Sequence, residues 1–568
     1  MSATAMSYVS GPSQVPLIGE TIGRYFDGVV AQHGDRIALV ARQQGIRWSW
    51  NDLAAEVNAF AAGLVSLGLQ PGERIGIWSP NNAEWVVTQF AAAKAGLILV
   101  NINPAYRLSE LEYALNKVAC RALVTATAFK TSDYAGMLMT LCPELATCVP
   151  GHLESPKASS LRMVIQIGAH TLPGAPTIPG ALAFGAVAGL ATPAAYARLA
   201  ELAPKLQFDD PINIQFTSGT TGAPKGAALT HHNILNNGFY TAETMKLTRE
   251  DRLCIPVPLY HCFGMVMGVL GCLTHGATMV FPGEGFDPLV TLQTVADERC
   301  TALYGVPTMF IAQMDHPSFA EFDLSSLRTG IMAGSPCPIE VMRRAMALMH
   351  LTDITIAYGM TETSPVSFQT TLDDPIERRV ATVGRIHPHL ECKIIDADGN
   401  VVPAGTAGEL CTRGYSVMRG YWDDEIRTRE AIDPGRWMHT GDLATLDAAG
   451  YCAIVGRIKD MIIRGGENVY PREIEEFLYR NPKIADAQVF GIPDARYGEE
   501  ICAWIKLRGG ETMTAEDVKD FCRDQIAHYK VPRHIRFVDE FPMTVTGKIQ
   551  KFIMRTAMNQ DNSTEKTG

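Results

Sequence analysis

Short apolar runs alternate with helix-length segments along much of this chain, and that alternation constrains the fold more than any other feature. RIGIWS, Arg74 to Ser79, suits a buried strand. Asn81 or Asn82 can cap the helix that follows, AEWVVTQFAAAKA, and Gly96 can end it. LILVNI is the next strand. The rhythm returns as ATMVF, VTLQTVADERC, TALYG, a helix near 338–349 and ITIAYG. Repeated strand–helix–strand units predict largely parallel sheets covered by helices. No internal repeat of fixed period runs through the sequence.

A chain of 568 residues is too long for one core. Between 383 and 422 the texture turns β-rich, with a hairpin expected at Asp398-Gly399. After Gly456 it changes again: IKDMIIRGGENVYPREIEEFL joins a charged loop to an amphipathic helix. The strand CAWIKL, a helix begun by Thr514 with Asp517 in a capping box, and the strand HIRFV follow. The expected architecture is α/β. A large N-terminal domain, residues 1–457, has parallel sheets flanked by helices plus a β-rich subdomain; a small α+β domain spans residues 458–568. The Pro-, Gly- and Ala-rich segment 150–206 reads as surface loops and short helices. The most apolar window, Cys262 to Phe281, is cut by His275 and Gly276. It reads as a short buried helix and a strand, since a span wants about 20 uninterrupted apolar residues.

A net charge of −11 offers no basic face for nucleic acid. The 13 cysteines include no Cys-x-x-Cys pair, which reads as thiols in a reducing compartment rather than a disulfide framework or a zinc site. The first residues lack the pattern of a secretory or transit leader, so a cytoplasmic protein is expected.

The sharpest local motif is TSGTTGAPKG, Thr217 to Gly226, after the apolar run INIQF. Small hydroxyl residues and glycines let N–H and O–H donors close around phosphate oxygens, and Lys225 adds positive charge. The spacing differs from the P-loop of kinases and GTPases. A nucleophile elbow (G-x-S-x-G), H-E-x-x-H and a complete G-x-G-x-x-G are all missing.

The motif resembles that of the adenylate-forming enzymes, the superfamily of acyl-CoA ligases, luciferases and peptide-synthetase adenylation domains. YGMTET (Tyr358 to Thr363), HTGD (His439 to Asp442), GRIKD (Gly456 to Asp460), GGENVYPREIE (Gly465 to Glu475) and TGKIQK (Thr546 to Lys551) follow in the family's order. The resemblance implies a phosphate loop at Thr217, Ser218, Gly219, Thr220, Thr221, Gly222 and Lys225. It implies an adenine-side wall at Gly334, Ser335 and Pro336 with Ala357, Tyr358, Gly359 and Met360, the Tyr358 ring stacking on the base. Thr361 would bond the α-phosphate, and Glu362 would hold Mg²⁺ against ATP oxygens. Asp442 and Arg457 would take the ribose. Lys548 would neutralise charge between carboxylate and α-phosphate during adenylation. His261 in PLYHCFG is expected to gate or position the acyl carbonyl; a free thiol titrates near pH ~8.5, so CoA needs little help from a base. His231 and His232 read as loop or cap residues.

The same resemblance implies a mobile C-terminal domain that turns about Lys459 and carries Gly465, Gly466 and Glu467 to a CoA channel. GRIKDMIIRGGENVYP is most similar to medium-chain fatty acyl-CoA ligases. The acyl pocket is then expected at Phe263, Met267, the Val306 to Met309 turn, Ala333 and Ser364 to Val366, including Val366 itself. Without a lysine or arginine for a second carboxylate, a medium-length monocarboxylic acid is favoured, with an aryl acid as the alternative. ATP, Mg²⁺ and coenzyme A are the expected cofactors. A lysine acetyltransferase with its deacetylase, acting at Lys548, and a second copy of the chain are candidate partners.

Overall fold

The computed structural model describes residues 5–168, 177–217, 224–335, 337–464, 467–494, 496–523, 525–543 and 549–565. Helix AEWVVTQFAAAKA forms over Ala83–Ala95. The Asn82 side chain accepts from the Trp85 N–H, and Gly96 closes the other end at φ 69°. Such an N-cap contributes about 1 kcal/mol. Every residue of the next strand, Ile98–Asn101, is buried, as a strand covered on both faces must be.

Two large sheets follow from this pattern. The first runs Leu182–Ala183, Met163–Gln166, Ala122–Thr125, Arg74–Trp78, Ile98–Asn101, Pro211–Thr217, Lys225–Thr230, Gly420–Tyr421 in spatial order. It is parallel as far as Pro211–Thr217 and antiparallel beyond. The second sheet has a parallel centre, Asp353–Gly359, Thr329–Ala333, Ala302–Gly305, Arg252–Cys254, Thr278–Phe281 and Ile37–Ala41. One apolar cluster built on Phe26, Trp50, Phe60, Trp85 and Phe90 packs the helices between them.

The β-rich segment forms an antiparallel sheet ordered Tyr8–Ser10, Leu390–Ile395, Gly408–Gly414, Met438–Leu446, Cys452–Arg457. Its hairpin turns at Gly399, φ 84°, with an Ile395–Val401 bridge across it. The C-terminal unit is a mixed sheet of Ile484–Asp494, Gly498–Leu507 and His534–Phe537 with a separate apolar core. Thr514 and Asp517 form the expected capping box.

Three local readings change. The segment 150–206 is not only loops and helices, because Met163–Gln166 is a fully buried strand of the first sheet. The stretch before the amphipathic helix Pro471–Leu478 contains two short paired strands, Ile462–Arg464 and Glu467–Val469. The Val306 to Met309 turn is the first turn of the helix Pro307–Met314. The apolar window becomes a wide-wound helix, Phe263–Leu270, continued by Gly271–His275 and the strand Thr278–Phe281. Among the described residues no helix is long and apolar enough to cross a membrane.

Candidate active site

Ligands of parallel α/β sheets gather outside the carboxyl ends of the strands, and here the motifs do too. Ala333 and Ala357 are register partners at the ends of neighbouring parallel strands. The chain leaves the first through Gly334, φ 91°, and Ser335. It leaves the second through Tyr358, Gly359 and Met360 into a tight turn, Thr361–Thr363. The Met360 N–H donates to the Pro365 carbonyl at 3.0 Å, folding YGMTET back on itself.

That turn buries Glu362. Its Oε1 accepts from the Tyr421 hydroxyl at 2.9 Å and the Thr217 hydroxyl at 3.4 Å. Burial, then the Glu362 charge, raises the Tyr421 pKa, so the phenol stays a donor. Among the described residues Glu362 has no ion-pair partner. A buried carboxylate held, among the described residues, by hydroxyls alone fits a site for a hard cation such as Mg²⁺ arriving with ATP.

Thr217 and Lys225 are cross-strand partners, so the two ends of the expected phosphate loop are clamped together, Thr217 against Glu362. Ser218, Gly219, Thr220, Thr221 and Gly222 lie outside the described residues, as do Pro336, Gly465, Gly466 and Lys548. The Lys225 ammonium lies 4.9 Å from the Tyr421 ring centre.

Asp442 joins the site from the antiparallel sheet. The Tyr358 hydroxyl donates to its Oδ2 at 2.6 Å, and the Arg457 Nε lies 3.1 Å from its Oδ1. Burial raises the Tyr358 pKa first, and the Asp442 charge adds to it. Asp442 and Arg457 are also register partners. Each carboxylate oxygen keeps a lone pair for a further donor. Lys459 follows in the turn Ile458–Asp460, where desolvation and then Arg457 lower its pKa. Glu467 is exposed.

His261 lies half-buried against Tyr260, ring centres 4.1 Å apart, at the start of the wide-wound helix. Met267, Val306, Met309, Ala333, Ala357 and Val366 belong to one buried cluster, with Phe263 and Met360 packed against it. Phe263 leans on Tyr304. Ser364 donates to the Ser416 carbonyl at 2.7 Å, toward the β-rich sheet. Of the expected acyl-pocket residues, Val306, Thr308 and Met309 border a cavity of about 380 Å³, shared with Tyr260, Glu284, Phe286 and Met543. His231 and His232 open a helix; His231 Nδ1 accepts from the Ile22 N–H and His232 Nδ1 lies 3.2 Å from the Ile18 carbonyl.

Sequence reading missed several partners. Tyr421 on Glu362, Tyr358 on Asp442 and Glu409 on the HTGD turn all join distant segments. The same holds for the described residues on either side of 544–548: Met543 bridges Ile549, Gln550 N–H donates to the Pro542 carbonyl, and Lys551 pairs with buried Glu475 at 2.5 Å.

A phosphate-loop hairpin, a buried carboxylate and an aspartate–arginine pair meeting at strand ends beside an apolar cluster define an adenylate-forming enzyme. The comparisons agree. The family model described as AMP-binding enzyme matches residues 26–422, and that of the AMP-binding enzyme C-terminal domain matches 473–548. The chain belongs to the AMP-binding enzyme family. It is 49% identical to medium-chain acyl-CoA ligase ACSF2, mitochondrial, of Danio rerio, covering 97% of this chain and 90% of that protein. It is 47% identical to putative acyl-CoA synthetase YngI of Bacillus subtilis (strain 168), covering 95% and 97%. Among solved structures, the anthranilate CoA ligase AuaEII with anthranoyl-AMP has TM-score 0.84 at 26% identity, covering 96% of this chain and 98% of that one.

Proposed function

We propose that this AMP-forming carboxylic acid–CoA ligase takes a medium-chain fatty acid. One juxtaposition carries the reading. Tyr358, Glu362 and Asp442 converge at the strand ends, and the apolar cluster of Met267, Val306, Met309 and Val366 reaches the same ends through Ala333 and Ala357. A nucleotide and an acyl chain can thus meet head to head. The names of the ACSF2 relatives support the choice of acid.

In the first step a carboxylate oxygen bonds to the α-phosphorus of ATP while the bond to pyrophosphate breaks. Two anions must approach, so the site has to supply positive charge and donors. Thr217, Lys225 and the loop between them take phosphate oxygens, Thr361 the α-phosphate, and Lys548 bridges carboxylate and phosphate. Asp442 accepts the ribose hydroxyls, with Arg457 beside it, and Gly334, Ser335 and Tyr358 flank adenine. Mg²⁺ at Glu362 would neutralise triphosphate oxygens. In the second step the CoA sulfur bonds to the acyl carbon, AMP leaves, and the thiol proton goes to solvent. His261 positions the acyl carbonyl, and Gly465, Gly466 and Glu467 border the CoA approach. Residues 458–568 act as a separate domain that turns about Lys459 between the steps. The 13 unpaired cysteines, 12 of them buried, suit a reducing compartment, and we place the enzyme in the cytoplasm.

Pyrophosphate release, measured with CoA over acids from butyrate to dodecanoate and over benzoates, tests the substrate. Each buried methylene contributes about 0.8 kcal/mol, so kcat/KM should climb about fourfold per methylene until the pocket fills. Benzoates outrunning every aliphatic acid would overturn the medium-chain reading in favour of the aryl one, as the likeness to an anthranilate ligase would then suggest.

A further inference from the structure

We propose that Glu409, Cys411 and His439 form a binding site for one divalent ion that favours thiolate and imidazole ligands, zinc among the ions of a cell. The strands Gly408–Gly414 and Met438–Leu446 set Cys411 directly opposite His439. A register shift between Glu409 and Cys411 brings the carboxylate to the same ring. His439 Nδ1 lies 3.0 Å from Glu409 Oε2 and 3.7 Å from Cys411 Sγ, and the three donor atoms all fall within 4.8 Å of one another.

Those separations match a metal's demands. With ordinary zinc bond lengths and tetrahedral angles, an imidazole nitrogen and a thiolate sulfur stand about 3.5 Å apart, and nitrogen and carboxylate oxygen about 3.4 Å. The His439–Cys411 separation already fits, and the Glu409 oxygen has only to draw back from His439 by a few tenths of an ångström. The other ring nitrogen, Nε2, faces Asp433 Oδ2 at 3.9 Å, the kind of outer carboxylate that fixes a ligand histidine's tautomer. The Glu409 and His439 side chains are 21% and 31% exposed, which leaves a path for the ion and a fourth position for water.

Charge also fits. A carboxylate and a thiolate together neutralise a divalent ion. Burial pushes the Cys411 thiol up to about 12, Glu409 and Asp433 reinforce that, and Lys393 opposes it. The metal must therefore displace the thiol proton, which leaves to solvent. No local spacing betrays the site, because Cys411 and His439 are 28 positions apart and meet only across the sheet. The site adjoins Asp442, which the proposed function gives to the ribose. Glu409 Oε1 accepts the Gly441 N–H at 3.2 Å, next to Asp442.

Cobalt titration of the full-length, metal-free protein tests this. One equivalent of Co²⁺ should give a near-ultraviolet thiolate-to-cobalt band that Zn²⁺ abolishes and Mg²⁺ does not. Cys411→Ser should lose the band, and Glu409→Gln and His439→Gln should each weaken Co²⁺ binding at least about tenfold. A protein without the band, or a folded Cys411→Ser that keeps it, overturns the proposal. If Cys411→Ser fails to fold, unchanged Co²⁺ affinity in both other variants overturns it equally.

Discussion

Gly359 stands where no side chain fits. A Cβ there would lie 1.7 Å from the Pro365 carbonyl oxygen, a backbone atom with nowhere to go. Gly359→Ala must push the Tyr358 strand away from the turn that carries Glu362, a loss of about 3 kcal/mol. Urea unfolding should show that loss, together with a raised KM for ATP. Lys548→Ala belongs to the same scale. It should slow acyl-AMP formation by about 10²–10³-fold while sparing thioester formation from added acyl-AMP, as single-turnover assays of each half-reaction can tell. Acetylation of Lys548 removes the same charge. A lysine-acetylated preparation that still adenylates at full rate would refute control at this residue. Residue identities were readable where a short motif carries its own geometry: Gly96 and the Thr514–Asp517 box need only their neighbours. Tyr421 was not readable, because its tie to Glu362 exists only once two sheets meet.

At the scale of elements, the same distinction recurs. Buried parallel strands announce themselves as unbroken apolar runs, and Arg74–Trp78, Ile98–Asn101 and Asp353–Gly359 did so. Met163–Gln166 hid among prolines and glycines, too short to stand out from the loops around it. The described residues on either side of 544–548 show what contacts add to pattern. Lys551 reaches Glu475 on Pro471–Leu478 and the Val489 carbonyl, and Glu475 also accepts the Val489 N–H. Removing one partner of a buried pair strands the other. Glu475→Ala should therefore cost the C-terminal unit about 2–4 kcal/mol, seen as earlier proteolysis of that unit. Adenylation should fall with it.

For the whole molecule, the two half-reactions make opposed demands. On the proposed mechanism, Lys548 has to be in the site for the first, and a channel has to open for the thiol in the second. Strand Cys452–Arg457 ends in one sheet and Ile462–Arg464 begins in another, so the chain crosses between them within the turn Ile458–Asp460. Lys459→Pro fixes φ near −65°, a value a tight helical turn already uses. This variant should still make acyl-AMP but pass it to CoA far more slowly. Equal parent-like rates for both steps in a folded protein would remove Lys459 as the pivot. The sequence displayed this architecture as a change in texture, but not which surfaces touch. Arg472 reaching the Ile454 carbonyl, or Met543 closing a cavity with Val306, is decided by the packed molecule alone.

The Asp442–Arg457 rung deserves a mechanical reading. It is the last pairing before the chain enters the turn at Lys459, so the proposed pivot is mounted in the block proposed to grip the sugar. Load on one is felt by the other. Under the proposed mechanism, a nucleotide that tightens around Asp442 would stiffen the mounting, and a swing that tugs Arg457 would loosen the grip on the sugar. Linkage makes the exchange even-handed: whatever factor separates nucleotide affinity in the two poses also separates the populations of those poses with and without nucleotide.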